Sequence, residues 1–252
     1  MLLLWILSFT FLGSFVSLFL VVWLLSIKNV ANRFALSLTS FAAGALLAVA
    51  FLDLMPEAFE KGQLKSVLWI ILIGIVVFFL LERSLLWFHH HHGEEKTGVM
   101  RGEERPVTLL LMVGDSLHNF LDGVVIAGSF FVSIPLGIVT SLAVFFHEIP
   151  HEIGVFGALL HEGLTYKKVV LYNVLSGITA LLGAFLSFFF LSSLTSLVPY
   201  ILSFAAGNFI YISASDLIPE IHRAFDKEKA LVQTTFFLLG IFVIWLTIYI
   251  LG

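Results

Sequence analysis

The chain of 252 residues contains no cysteine, and charged residues are scarce. The missing thiols exclude disulfides, thiolate metal sites and a cysteine nucleophile, so a metal would need imidazole, carboxylate or amide ligands. Asp, Glu, Lys and Arg make up 12% of the chain, whereas apolar residues make up 60%. Soluble domains contain about a quarter charged residues. The composition therefore predicts a polytopic membrane protein, without a nucleic-acid partner.

Eight stretches are long and apolar enough to cross about 30 Å of hydrocarbon as helices. The predicted fold is therefore all-α, with eight transmembrane helices in a single domain. The first stretch exceeds the core of a signal peptide and has no basic flank before it, so we expect it to be retained. The predicted spans are 2–25, 34–55, 66–87, 108–130, 136–159, 168–191, 199–218 and 233–251.

Basic residues are distributed unequally between the two ends of these spans. Cytoplasmic loops carry an excess of Lys and Arg, so the richer side is expected to be cytoplasmic and both termini to face outward, in the cell membrane. The poorer side has Lys61 and Lys65. The richer side has Lys28, Arg33, Arg83, Lys96, Arg101, Arg105, Lys167, Lys168, Arg223, Lys227 and Lys229.

A histidine tract opens the longest predicted loop, residues 88–107, on the cytoplasmic side. It consists of His89, His90, His91 and His92. The tract can capture or sense cations, or it can be a solvated loop with a biased composition. The sequence leaves both interpretations open.

An internal repeat links the second and seventh spans. Ser40-Phe-Ala-Ala-Gly44 recurs as Ser203-Phe-Ala-Ala-Gly207, and Asp53-Leu-Met-Pro-Glu57 recurs at the same offset as Asp216-Leu-Ile-Pro-Glu220. One span is even in the count and the other odd, so the copies cross the bilayer in opposite directions. Inverted repeats of this kind build transporters. The pattern predicts that spans 1–3 and 6–8 are related around central spans 4 and 5.

The two aspartates of this repeat fall near opposite membrane surfaces. We expect Asp53 and Asp216 to mark the entrance and exit of a cation route. Glu57 and Glu220 either assist them or end their helices at the headgroups.

The fourth and fifth spans carry ionisable groups at helical spacing, although such groups are costly in a membrane interior. Asp115, His118 and Asp122 share one face of the fourth span, with Asn119 one step around. On the fifth span, His147 and His151 form one stripe, and Glu148 and Glu152 form a second. The predicted ligand sets for two neighbouring divalent ions are His118, Asp122, His147 and His151 for one, and Asn119, Asp122, Glu148 and His151 for the other. Glu152 and Asp115 are expected to be auxiliary.

Backbone features of these two spans point to a cavity. Pro150 cannot donate a backbone hydrogen bond, so it frees a carbonyl and bends the fifth helix. Two glycines on each span, at 123 and 128 and at 154 and 157, are expected to let the backbones approach closely. Imidazole and oxygen ligands without sulfur favour Zn(II) first, then Fe(II), Mn(II), Co(II) or Cd(II), over Cu(I), Ca(II) or Mg(II). Zinc is expected as transported substrate, without an organic cofactor.

The motif His118-Asn119-x-x-Asp122-Gly123, followed by His147-Glu148-x-Pro150-His151-Glu152, resembles the signature of the Zrt/Irt-like protein (ZIP) family of divalent metal transporters. The second motif is similar to that of the HEIPHE-type subfamily. The resemblance implies eight helices, a binuclear site between the fourth and fifth, metal movement into the cytoplasm, and motion of one helix bundle against another. Some bacterial members place a glutamate of the sixth helix in the second site, whereas the sixth span here offers only Asn173 or Ser176.

Two other functions fit parts of the pattern. His147-Glu148-x-x-His151 matches the zinc metalloprotease motif, but an aspartate motif precedes it rather than following it as in intramembrane proteases, and Pro150 is unexpected in a catalytic helix. A membrane metal sensor that binds without transport is the second alternative. The sequence favours a transporter that is not an enzyme, with a homodimer as a possible assembly.

Overall fold

The computed structural model describes residues 1–27, 30–92, 106–223 and 227–251. These residues form eight long helices and, within those ranges, no strand. The helices are α1 (Leu2–Ser26), α2 (Val30–Val49, continued by Ala50–Leu54 and Met55–Lys61), α3 (Leu64–His92), α4 (Pro106–Val132), α5 (Ile134–His161), α6 (Tyr166–Ser193), α7 (Thr195–Arg223) and α8 (Lys227–Leu251).

Seven of these helices are long and apolar enough to cross a bilayer, as judged over the described residues. The exception is α4, which is 27 residues long but carries the polar residues Asp115, His118, Asn119 and Asp122. The chain is therefore a polytopic α-helical membrane protein, as the composition predicted.

Helix α3 extends beyond its predicted end. The apolar run stops near residue 87, but the helix continues through the histidine tract to His92. Hydropathy detects apolar side chains, whereas histidine is only mildly unfavourable in a helix, so the run and the helix end at different places. The predicted loop therefore starts later than residue 88, and residues 93–105 of it lie outside the described ranges.

Helices α2 and α7 each contain a π-helical turn next to the Asp-Leu-x-Pro-Glu motif. In α2 the turn spans Ala50–Leu54, and in α7 it spans Ile212–Leu217. Pro56 and Pro219 follow these turns and cannot donate to the preceding turn, which favours the wider winding. Asp53 and Asp216 thus lie in locally matching backbone.

Helices α2 and α8 approach each other through reciprocal glycine contacts. A Cβ atom on Gly44 would meet the carbonyl oxygen of Phe237, and a Cβ atom on Gly240 would meet that of Phe41. Such backbone contact requires glycine on both helices.

Helices α3 and α7 repeat this arrangement. A Cβ atom on Gly74 would meet the carbonyl oxygen of Phe204, and a Cβ atom on Gly207 would meet that of Ile71. Gly44 and Gly207 are the last residues of the two Ser-Phe-Ala-Ala-Gly copies, so both copies pack in the same way, each on a different partner helix.

The central helix α4 packs closely on α6 rather than on α5. A Cβ atom on Gly123 would meet the Ala180 carbonyl oxygen, and one on Gly183 would meet that of Phe120. The expectation for Gly154 and Gly157 was wrong, because a Cβ atom at either position would have no heavy atom within 4 Å. Helix α5 thus lies against α4 through larger side chains, which form the site described next.

Candidate metal site

Four side chains from α4 and α5 converge on one point inside the helix bundle. They are His118, Asp122, His147 and Glu148, and one ligand atom from each lies within 4.8 Å of all the others. The His118 and His147 Nε2 atoms are 3.2 Å apart. Asp122 Oδ2 lies 3.2 Å from His147 Nε2, and Glu148 Oε1 lies 3.3 Å from His118 Nε2. His147 Nε2 lies 3.4 Å from Glu148 Oε1, and His118 Nε2 lies 3.8 Å from Asp122 Oδ2.

These separations fit a tetrahedral zinc site. Zn–N and Zn–O bonds of about 2.0–2.2 Å place neighbouring ligand atoms about 3.3 Å apart. The five separations that involve a histidine nitrogen, 3.2–3.8 Å, are therefore close to the spacing that a single zinc ion would impose. The two carboxylate oxygens lie within 4.8 Å of each other.

All four side chains are buried, with between 1% and 7% of their surface exposed. The carboxylate oxygens of Asp122 and Glu148 accept no well-formed hydrogen bond from the described residues. Buried charges without hydrogen bonds are strongly unfavourable. A cation between the two carboxylates and the two imidazoles removes that penalty, because it supplies the missing opposite charge.

The α5 backbone determines which nitrogen of His147 faces the cluster. His147 Nδ1 lies 3.2 Å from the carbonyl oxygen of Ala143, one turn earlier in the helix. Because a carbonyl only accepts, Nδ1 carries the proton of a neutral ring, and the Nε2 lone pair is left for a metal. Hydrogen bonds of this kind fix histidine ligands in metal sites.

The helix that carries His147 has a well-defined beginning. Ser133 caps α5, because its Oγ accepts from the backbone nitrogen of Leu136 at 3.2 Å, and Pro135 occupies the first turn. Serine caps and early prolines favour helix initiation at this point. The cap sets the start of a regular helix in which His147 and Glu148 face α4.

His151 lies beside the four-residue cluster rather than within it. Its Nε2 is 3.0 Å from Asp115 Oδ1, and its ring stacks on that of His118 with centroids 4.4 Å apart. The cluster thus contains one residue of each α5 stripe, His147 and Glu148, and Glu148 takes the place that the first predicted ligand set gave to His151.

Asn119 faces α6. Its Nδ2 donates to the Asp115 carbonyl oxygen at 3.2 Å and lies 3.1 Å from Ser176 Oγ. The amide oxygen therefore remains as the atom of Asn119 that can bind a metal. Ser176, which was considered as a replacement for the missing α6 acid, instead contacts the predicted ligand Asn119.

Two further buried polar groups line the region of His151. Glu152 is 1% exposed, and its Oε2 accepts no hydrogen bond from described residues. Asn173 is equally buried, and its Nδ2 donates to Val169 at 2.7 Å while its Oδ1 has no described partner.

The acids of the internal repeat lie outside the cluster. Asp53 is half-buried, and its Oδ2 has no hydrogen-bond partner among the described residues. Glu57 forms an ion pair with Lys61 at 2.6 Å, consistent with a helix-end role for that residue. Asp216 and Glu220 are exposed. Side chains of the His89–His92 tract are outside the description.

Several contacts of the site had no sequence signal. Phe78 of α3 packs edge-on against His118 with centroids 6.2 Å apart, and Phe209 of α7 lies 6.0 Å from His147. The Tyr211 hydroxyl donates to the Glu82 carboxylate, across 129 positions of the chain. The chain contains 27 phenylalanines, so no sequence motif distinguishes Phe78 and Phe209 from the others.

The fold and the cluster define a polytopic helical membrane protein with a buried group of metal-ligand side chains. The family model described as "ZIP Zinc transporter" matches residues 2–107 and 89–247. These segments cover nearly the whole chain, which therefore belongs to the ZIP zinc transporter family.

Individual relatives agree with this assignment. The chain is 38% identical to the rat zinc transporter ZIP4 over 133 residues, which is 53% of this chain and 20% of the relative. It is 40% identical to the Drosophila melanogaster zinc transporter foi over 134 residues, 53% of this chain and 18% of the relative. For human ZIP10 the identity is 37% over 124 residues, 49% of this chain and 15% of the relative. The matched part thus spans a fifth or less of these relatives.

Proposed function

We propose that this chain carries Zn(II) across a membrane, into the cytoplasm, through the cluster of His118, Asp122, His147 and Glu148. The observation that carries the proposal is the convergence of four buried ligand atoms, all within 4.8 Å of one another, from two central helices. Family membership supports zinc as the substrate. Fe(II), Mn(II), Co(II) and Cd(II) accept the same nitrogen and oxygen ligands and are the further candidates.

A second ion position is proposed beside the first. Asn119 and His151 flank the cluster, and Asp115 and Glu152 add carboxylates near His151. Because α6 contributes no acid there, this second position has fewer anionic ligands than the first and is expected to bind metal more weakly. Weak binding next to a tighter site favours release, since conduction requires that an ion also leave.

The route through the membrane is proposed to pass the two aspartates of the internal repeat. Asp53 and Asp216 lie in matching π-helical turns, and reciprocal glycine contacts join α2 to α8 and α7 to α3. These parallels support an inverted repeat of spans 1–3 and 6–8 in an eight-span protein. Asp53 would then serve at the outer mouth and Asp216 at the inner one.

The remaining assignments follow from charge and from the family. If α4 also crosses the membrane, the chain has eight spans and both termini lie on the same side. The end rich in Lys and Arg is proposed to face the cytoplasm, so both termini face outward from the cell membrane. The His89–His92 tract at the end of α3 is proposed to capture metal on that side. A homodimer remains the proposed assembly.

The metalloprotease alternative is less well supported by the site. In a His-Glu-x-x-His enzyme both histidines hold zinc and the glutamate activates water. Here His151 contacts Asp115, and Glu148 takes its place among the clustered ligand atoms. A sensor that binds without transport is distinguished only by experiment.

The direct test is uptake of radioactive zinc by proteoliposomes that contain the purified chain. Transport predicts time-dependent accumulation that is abolished in His147→Ala and Asp122→Ala but kept in Glu60→Gln, an exposed control. Binding to the protein without accumulation inside the vesicles would favour the sensor. Cleavage of a membrane substrate that is lost in Glu148→Gln would favour the protease.

A further inference from the structure

A cavity of about 270 Å³ lies between α2, the end of α7 and the start of α8, and none of the four cluster residues lines it. We call it the α7–α8 pocket. Its walls are mainly apolar by area, with the polar side chains of Ser40, His222, Gln233 and Thr234 among them. The apolar part of the wall is formed by Ile218, Ile221, Ala230 and Phe237.

The polar feature of the pocket is Gln233. This side chain is 5% exposed, and its Nε2 has no hydrogen-bond partner among the described residues. A buried donor without an acceptor is unfavourable by about 1–3 kcal/mol in general. An acceptor oxygen from a bound molecule would therefore stabilise this amide, since the described part of the protein provides none.

The rim of the pocket is basic. His222 and Arg223 are exposed at the end of α7, and Lys229 is exposed at the start of α8. Glu220 is also exposed and lies one helical turn before Arg223, so the rim carries one acid beside its basic side chains. The pocket thus combines an apolar wall, a buried donor and exposed basic side chains at its rim.

The same end of the bundle has more Lys and Arg than the opposite end. Arg83, Lys167 and Lys168 are exposed there, whereas the opposite end has Lys61, which is paired with Glu57, and Lys65. Basic pockets between helices at such an end are typical of sites for acidic lipid headgroups.

We propose that the α7–α8 pocket binds one anionic phospholipid. Its phosphate lies beside His222 and Arg223, an ester carbonyl accepts from Gln233 Nε2, and an acyl chain runs along Ile218 and Phe237. A neutral phospholipid offers the same ester but no net charge for the rim. The proposal is independent of zinc transport.

Native mass spectrometry of the full chain tests this, with the purified protein equilibrated with phosphatidylglycerol or with phosphatidylcholine. The wild type is expected to retain one phosphatidylglycerol in preference to phosphatidylcholine. Gln233→Leu removes the donor while keeping similar bulk, and the loss of one hydrogen bond is expected to weaken that binding about threefold to tenfold. Gln63→Leu, an exposed glutamine at the opposite end, is the matched control and is expected to bind as the wild type does.

A second variant keeps the test decisive if Gln233→Leu does not fold. Ala230→Phe fills the pocket and is expected to lower phosphatidylglycerol binding, because the acyl chain loses its space. Equal retention of both lipids by the wild type would overturn the proposal. So would displacement of the bound lipid by an equal concentration of inorganic phosphate, or unchanged lipid binding in every folded pocket variant.

Discussion

Replacing Asp122 by asparagine distinguishes the effect of this carboxylate on zinc binding from its effect on the stability of the metal-free protein. The substitution keeps the size of the side chain but removes one of two carboxylates that lie within 4.8 Å of each other. Neither Asp122 oxygen accepts a well-formed hydrogen bond from the described residues, so without metal its charge is balanced only when a neighbouring imidazole such as His147, 3.2 Å away, is protonated. We therefore expect opposite effects in the two states: the metal-free variant is at least as stable as the wild type, and its zinc binding is weaker.

The size of the binding effect follows from the burial of the site. Removing one member of a buried, hydrogen-bonded charge pair generally costs about 2–5 kcal/mol, so zinc affinity should fall by roughly 30-fold or more. At a zinc concentration of about 100 times the wild-type Kd, bound metal stabilises the wild type by about 2.7 kcal/mol. A 30-fold weaker site gives only about 0.9 kcal/mol at that concentration, about a third of the wild-type effect.

Thermal unfolding of both proteins, with zinc and with a chelator, measures these quantities. Glu60→Gln is the control, since Glu60 is an exposed acid and should leave the zinc-induced shift intact. A zinc-induced shift of full size in Asp122→Asn would refute the reasoning. A metal-free variant much less stable than the wild type would show instead that Asp122 has a structural partner.

The remaining predictions concern protons and packing. Zinc affinity should fall as the pH is lowered, because protons compete with the metal for the imidazole lone pairs; a constant affinity between about pH 5 and 8 would contradict neutral histidine ligands. Gly123→Ala should destabilise the fold by about 1–3 kcal/mol, because the added Cβ meets the Ala180 carbonyl oxygen. Gly154→Ala is its matched control, since that position is open and alanine favours a helix; equal losses in chemical denaturation would refute the packing argument.

Helical spacing predicted which side chains of α4 and α5 lie near one another, but not how α5 is rotated about its own axis. The separations of His118 from Asp122 and of His147 from Glu148 placed these groups on neighbouring faces, and all four converge in the structure. His151 differs because the turn of α5 about its axis directs its ring to Asp115, and that rotation depends on how whole helices pack. A one-dimensional pattern specifies which residues share a face but not which partner that face meets.

The glycines illustrate the same limit. The sequence indicated close packing at Gly123, and the structure has it, but against α6 instead of α5. The partner of Gly44 lies on α8, nearly two hundred residues along the chain, where a single Gly240 gives no pattern to read. Similarly, the Tyr211 contact with Glu82 joins two isolated polar residues that no motif connects.

Anomalous diffraction at the zinc absorption edge, from crystals of the protein grown with zinc, tests the central claim most directly. The account predicts a strong peak within bonding distance of His118, Asp122, His147 and Glu148, with any second peak weaker and on the side of Asn119 and His151. Zinc bound only elsewhere, with these four side chains turned away from one another, would contradict it.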